Sequence, residues 1–132
     1  MLLEKAWAKV KGTYTMADGG YVQNGLRSLV GCPVVSYATE SQDADIIFDT
    51  LKAANDLNYI MGAGTDGAND TSVNSCGIAT GHAYSLIAAF ELQTSGTTDH
   101  KMYMIRNPWG ISTYTGAWNQ ADLSNWSSDY QT

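Results

Sequence analysis

From Leu2 to Val10 the apolar residues recur at helical spacing, with Leu2, Leu3, Ala6, Trp7 and Val10 on one side and Glu4, Lys5, Lys9 and Lys11 on the other. This pattern predicts an amphipathic helix of about three turns that stops near Gly12. The segment from Tyr14 ends in a Gly-Gly turn at Gly20. Asn24 is placed to cap a short helix over Leu26, Leu29 and Val30, with Gly31 as its terminator. Cys32 to Tyr37, with two valines ahead of a tyrosine, reads as a strand. Asp43 and Asp45 favour a helix start, and Ile46, Ile47, Thr50, Leu51 and Ala54 follow as one face. Tyr59 to Met61 reads as a short apolar strand. The polar, glycine-dense run from Gly62 to Gly77 reads as a loop long enough to be functional or mobile.

The period changes at His82. Tyr84, Leu86, Ala88, Phe90 and Leu92 alternate with Ala83, Ser85, Ile87, Ala89 and Glu91, and both sets are fairly apolar, which suits an interior strand. Gln93 to Asp99 is polar, carries Gly96 and reads as a hairpin loop, so Lys101 to Asn107 is the returning strand. The tail from Gly116 holds Trp118 and Trp126 among polar residues and reads as irregular chain pinned by its indoles. With no internal repeat and no linker, the pattern predicts a single α+β domain over residues 1–132.

Composition narrows the field. A chain of 132 residues, 44% hydrophobic and 15% charged, can bury a core without staples and is unlike a disordered segment. A net charge of -6 argues against nucleic acid or an anionic membrane as partner. No apolar run is long enough for a transmembrane segment, and no signal peptide precedes the first helix. Cys32 and Cys76 therefore read as free thiols of an intracellular, cytoplasmic protein, with the sequons at Asn69 and Asn125 unused. A chain that starts directly on a helix also suggests a fragment of something longer.

The chemistry concentrates at the hairpin's open end. In Met104-Ile105-Arg106-Asn107-Pro108-Trp109-Gly110, Pro108 removes a ladder donor and holds Asn107 extended, so the strand should stop there, and Gly110 lets the chain bend away. If the hairpin turns about the middle of its loop, facing residue numbers add to roughly 190. His82 then faces the stretch from Asn107 to Gly110. A histidine acting on a thiol needs one ring nitrogen free and the other held, and an amide oxygen can hold it, as in Cys-His-Asn proteases. Trp109 beside Asn107 could shield that bond from water. A lone histidine beside an apolar strand is more often a core or surface residue, and an Asn-Pro pair is more often a turn. Meeting at one hairpin mouth, with Gly81 before the histidine, they balance those readings.

Gly81-His82-Ala83-Tyr84-Ser85 followed by Ile105-Arg106-Asn107-Pro108-Trp109-Gly110 resembles the calpain family of cysteine endopeptidases, and in particular the second half of their protease core. Leu2-Leu3-Glu4-Lys5-Ala6-Trp7-Ala8-Lys9, Gly31, the stretch from Ile46 to Ala54, and Thr115-Gly116-Ala117-Trp118 fit in order and spacing. The resemblance covers nearly all of the chain. It implies an α+β fold, a papain-like subdomain with an antiparallel sheet of barrel type and flanking helices. It further implies catalytic roles for His82 as general base and acid and Asn107 as its orienting partner, supported by Trp109 as shield. The family's nucleophile lies in a Gln-Gly…Gly-Asp-Cys-Trp segment of the first half, which this chain lacks. Cys32 and Cys76 stand in other contexts and read as structural or incidental. The implied partners are an N-terminal protease subdomain carrying the cysteine and protein substrates, and the isolated chain should hydrolyse no peptide.

One departure concerns calcium. Calcium-dependent members bind Ca²⁺ just after the Asn-Pro-Trp-Gly motif, and the two positions that carry carboxylates there are Thr113 and Gln120 here. A hydroxyl and an amide in place of two charged ligands should weaken such a site severely. Asp122 could substitute only with a shifted loop, and Asp43-Ala44-Asp45 is no EF-hand, because Phe48 stands where glycine is needed. The expectation is no cofactor and no tight metal in this chain. Two other readings stay open: a non-proteolytic scaffold keeping a calpain-like fold, and a metal site using His82, His100 and the two thiols, whose spacings match no structural zinc pattern.

Overall fold

Helix α1 spans Leu2–Lys11, with Glu4 in its first turn and Lys9 and Lys11 in its last; Ala8 is its buried residue, whereas Leu2, Leu3 and Val10 of the expected apolar face are exposed. The computed structural model describes residues 2–94, 97–126 and 130, and the chain falls into two compact units, Met1–Ser36 and Tyr37–Thr132.

In the first unit a short 3-10 turn over Thr15–Ala17, not expected from the sequence, precedes the Gly-Gly pair, with Thr13 Oγ1 accepting from Met16 N at 3.2 Å. Helix α2 spans Val22–Val30 and begins ahead of the expected cap. Its N-cap is Tyr21, with no side-chain cap bond, and Asn24 already sits in the first turn with its N–H on the Tyr21 carbonyl at 3.0 Å. Gly31 ends it as expected, at φ 70°, where a β-carbon would be penalised. The two helices border an open apolar groove lined by Leu3, Trp7, Tyr21, Val22 and Leu29. Cys32 to Tyr37 is not a strand: it is irregular, with Val35 71% exposed. Two valines predict a strand only where a sheet edge is offered, and none is paired with them.

In the second unit, Asp43 caps helix α3 (Ala44–Asp56), its carboxylate accepting from Asp45 N at 2.8 Å and Ile46 N at 3.3 Å. The buried residues are Ile47 and Phe48, whereas Ile46 is 60% exposed, so the apolar face is rotated by about one position from the expected one. The cause is tertiary. Phe48 packs against Tyr103 with ring centroids 5.5 Å apart, and Lys101 lies over the Phe48 ring while its Nζ donates to Asp45 at 2.8 Å.

Three antiparallel strands form the sheet, β1 (Met61–Gly64), β2 (Ala83–Thr94) and β3 (Thr97–Arg106), with β2 in the centre. The α+β class and the interior place of β2 are as expected. β1 lies further along than Tyr59 to Met61, because its backbone decides it: Gly62, Ala63 and Gly64 pair with Ser85, Tyr84 and Ala83, while Tyr59 and Ile60 stay exposed. β2 and β3 also run further into the turn than a Gln93 to Asp99 loop allows, to Thr94 facing Thr97. Gly96 lies outside the described residues. Near the site the register follows the arithmetic, with Ser85 facing Arg106 and Leu86 facing Ile105. A register shift after Leu86 then moves burial on β2 from Tyr84 and Leu86 to Ala89, so the even-numbered face does not stay inward along the whole strand.

Candidate functional site

His82 sits at the last turn of chain before β2, and its backbone is clamped before its ring is. Its N–H donates to Thr65 Oγ1 at 3.0 Å, its carbonyl accepts from Thr65 N at 2.9 Å, and the Thr65 hydroxyl donates on to the Ala79 carbonyl at 2.7 Å. Gly81 precedes it at φ 57°. A β-carbon there would lie 2.9 Å from the carbonyl oxygens of both Gly67 and Asn69, so the loop passes too close for any side chain. Tyr84, two residues on, is buried, and its hydroxyl accepts from Ala79 N at 2.9 Å. Its ring edge meets the imidazole at a centroid distance of 4.8 Å.

Asn107 comes from the facing strand end. Its Oδ1 lies 3.0 Å from His82 Nε2 and also accepts the Trp109 N–H at 3.1 Å. A backbone N–H can only donate, so the atom facing it is the amide oxygen rather than the amide nitrogen. The same oxygen requires a proton on Nε2, which fixes the ring's tautomer and direction. The Trp109 ring lies against the imidazole, centroids 4.5 Å apart, while remaining 43% exposed on its outer side. The His82 side chain is only 8% exposed. The structure thus brings together His82, Asn107, Trp109 and Gly81, the four residues singled out from the sequence.

Two neighbours went unanticipated. Thr65 belongs to a stretch read only as polar loop, and no spacing marks it as a backbone clamp. Asp70, from the same loop, places Oδ2 at 3.5 Å from His82 Nδ1.

The other sequence candidates lie elsewhere. Cys32 and Cys76 are exposed free thiols. His100 faces Leu92 across the hairpin and packs on Trp118 at 4.8 Å. Among the described residues no group of three or more His, Cys, Asp or Glu side chains converges as a metal set, so His82, His100 and the thiols are not assembled. Thr113 donates its hydroxyl to the Gly77 carbonyl at 2.6 Å, and Gln120 is exposed. Asp122 is instead the hub of the segment after the site. Its carboxylate accepts from Trp118 N at 2.8 Å, Ser124 Oγ at 2.6 Å and Asn125 Nδ2 at 2.6 Å. Those bonds, the Ser124 one foremost, hold its pKa down to about 2. They also secure Trp118 at φ 64°, a conformation costly for a side chain of that size. Trp118 packs edge-on against Trp126 at 5.0 Å, whose Nε1 donates to the Asn119 carbonyl at 3.0 Å, so the indoles do pin the tail.

Among the described residues no helix is long and apolar enough to cross a membrane. A sequence model described as "Calpain family cysteine protease" matches residues 1–131. The chain is similar to the calpain-type cysteine protease ADL1 of Oryza sativa subsp. japonica, 33% identical over 127 residues that cover 91% of this chain and 6% of that protein. It is similar to the calpain-type cysteine protease DEK1 of Zea mays at 32% identity over the same shares. The calpain-2 catalytic subunit of Gallus gallus is 33% identical over 129 residues, covering 96% of this chain and 18% of that protein. The chain therefore spans less than a fifth of the length of these relatives. With the match running from the first helix to the Trp-rich tail, the chain belongs to the calpain family of cysteine proteases.

Proposed function

We propose that this chain is the His/Asn-bearing half of a calpain-like cysteine endopeptidase, with His82 as general base and acid and Asn107 as its orienting partner. The observation that carries this reading is the single Asn107 oxygen shared between Trp109 N–H and His82 Nε2. It holds the imidazole by one nitrogen in a neutral grip and leaves the Nδ1 edge directed away from Asn107, the geometry a histidine needs to exchange a proton with a thiol. The nucleophilic cysteine then belongs to an N-terminal protease subdomain, and the 132 residues alone hydrolyse no peptide. Cys32 and Cys76 are exposed free thiols outside the family's nucleophile context. In the assembled protease the imidazolium formed by taking the thiol proton is stabilised by Asn107, and the same proton is returned to the leaving amine. Protein substrates would lie between this half and the one carrying the thiol.

The residues after Asn107 do not fit a calcium site. Thr113 is committed to Gly77, Gln120 offers no charge, and the Asp122 carboxylate already accepts three hydrogen bonds. The proposed half is thus ordered by hydrogen bonds on Asp122 and holds no tight Ca²⁺. Calorimetry with Ca²⁺ should give no sub-micromolar affinity.

In the full-length protein, His82→Ala should lower peptidase kcat/KM by at least about a thousandfold while circular dichroism stays native. Full activity in that variant would end the assignment.

A further inference from the structure

The imidazole of His82 faces an acceptor on both of its nitrogens. On one side Asn107 Oδ1 requires Nε2–H, because that oxygen also takes the Trp109 N–H. On the other, Asp70 Oδ2 stands 3.5 Å from Nδ1. A neutral ring protonated on Nε2 would turn its Nδ1 lone pair toward a carboxylate, which is repulsive. With a proton on Nδ1 as well, the same contact becomes an attractive ion pair. The charged groups on the segments around the ring are Asp66 and Asp70 on the loop and Arg106 at the end of β3, with Tyr84 the titratable neighbour on β2. Among the described residues, Asp70 alone makes an ion pair with the ring.

We infer that Asp70 is a positioning residue that holds the Nδ1 edge of His82 as a resident anion, in the place a thiolate takes during catalysis. The role rests on the catalytic reading of His82 given above. It has a definite physical basis. A thiol that reacts through His82 must use Nδ1, since Nε2 is committed to Asn107. The Asp70 carboxylate, 48% exposed on a loop and at the long end of hydrogen-bond distance, is held loosely enough to yield that edge. Until it yields, it occupies that edge of the ring and prevents the ring from turning. Loop movement and access to the reacting nitrogen are thereby linked, because Asp70 shares its loop with Gly67 and Asn69, whose carbonyls close over Gly81, and with Thr65, which clamps the His82 backbone.

Two measurements test this. In the 132-residue chain held at about pH 5, where an imidazole carries both protons, ¹⁵N–¹H spectra should show the His82 Nδ1 resonance moved by Asp70→Asn and the Nε2 resonance, held by Asn107, left in place. The Trp109 N–H should keep its place in both. Identical Nδ1 resonances in the two chains overturn the proposal, and no peptidase activity is needed to see it. In the full-length protein, Asp70→Asn should raise kcat/KM by about two- to fivefold, the worth of one half-exposed ion pair that no longer has to be displaced. An unchanged or lowered kcat/KM overturns the guarding role, since Asp70 would then be neutral to the reacting arrangement or part of it. Retained activity in His82→Ala, with the spectroscopic difference intact, would instead remove the protease reading and leave the ring grip standing.

Discussion

Asn107 and Asp122 are two hubs fifteen positions apart in one polar, turn-rich stretch, and they organise their surroundings by different chemistry. Asn107 spends one neutral oxygen on two donors, Trp109 N–H and His82 Nε2. Asp122 spends a full charge on Trp118 N–H, Ser124 Oγ and Asn125 Nδ2. A neutral acceptor orients a histidine without fixing its protonation as strongly as a carboxylate on the same nitrogen would. A charged acceptor makes stronger hydrogen bonds and locks a loop, at the cost of a dependence on its own ionisation. The comparison suggests why the amide stands at the proposed catalytic ring and the carboxylate at the purely structural turn.

The sharpest way to break the comparison is at Asn107. Against the near-complete loss proposed for His82→Ala, Asn107→Ala in the full-length protein should lower kcat by about ten- to a hundredfold, because an unheld ring still visits the productive orientation. KM should move little, since the amide contacts the ring and not the proposed substrate. If Asn107→Ala were as damaging as His82→Ala, the amide would be doing more than orienting. If it were harmless, the 3.0 Å contact would be a structural feature only.

A second prediction concerns how the two hubs are joined. The turn at Gly77 lies against the segment that links them: Thr113 donates to the Gly77 carbonyl at 2.6 Å and Thr115 N to the Cys76 carbonyl at 2.9 Å. Gly77 has φ 78°, and a β-carbon on it would overlap the Thr113 carbonyl, which is backbone and cannot rotate away. Gly77→Ala should therefore cost about 2–4 kcal/mol in chemical unfolding, combining backbone strain with overpacking. Gly81→Ala, with a milder φ of 57° and approaches of 2.9 Å, should cost less, about 1–2 kcal/mol, yet disturb the His82 ring signals more. The reverse ranking would mean that the loop over His82, rather than the Gly77 turn, carries the tighter packing.

How legible these features were follows from where each is encoded. The His82–Asn107 meeting could be read because an antiparallel hairpin converts sequence distance from its turn into a facing position, and only the turn has to be located. The motif's glycine, proline and tryptophan marked the strand end for the same local reason. The helices α1 and α3 were legible by period, although the buried face of α3 moved from Ile46 to Phe48 once Tyr103 was its neighbour. Cys32 to Tyr37 misled because apolar residues make a strand only against an edge. β1 misled in the opposite sense, since Gly62 to Gly64 pair through backbone with little side chain to signal it. Thr65 and Asp70 were invisible for a further reason. A glycine-rich loop has no period, and which of its polar residues returns to the histidine depends on its path through space.

The smallest expected effect belongs to Asp122, and it tests the charged half of the comparison directly. Its carboxyl, ordinarily near 3.8, is lowered to about 2 in the folded chain by the Ser124, Asn125 and Trp118 bonds. A folded value below the unfolded one means the group favours the native loop above about pH 4, and that this contribution disappears as pH falls toward 2. Fluorescence of the Trp118–Trp126 pair should accordingly change in that acid window before the rest of the fold is lost, and Asp122→Asn should flatten the change. The amide would still accept from Trp118 N–H, so the variant should keep its fold at neutral pH with a modestly lower midpoint of thermal unfolding. No acid dependence at the indoles in the native chain would mean that Trp118 is held at its positive φ by ring packing, including its contact with His100, and that the charge on Asp122 is incidental to the loop.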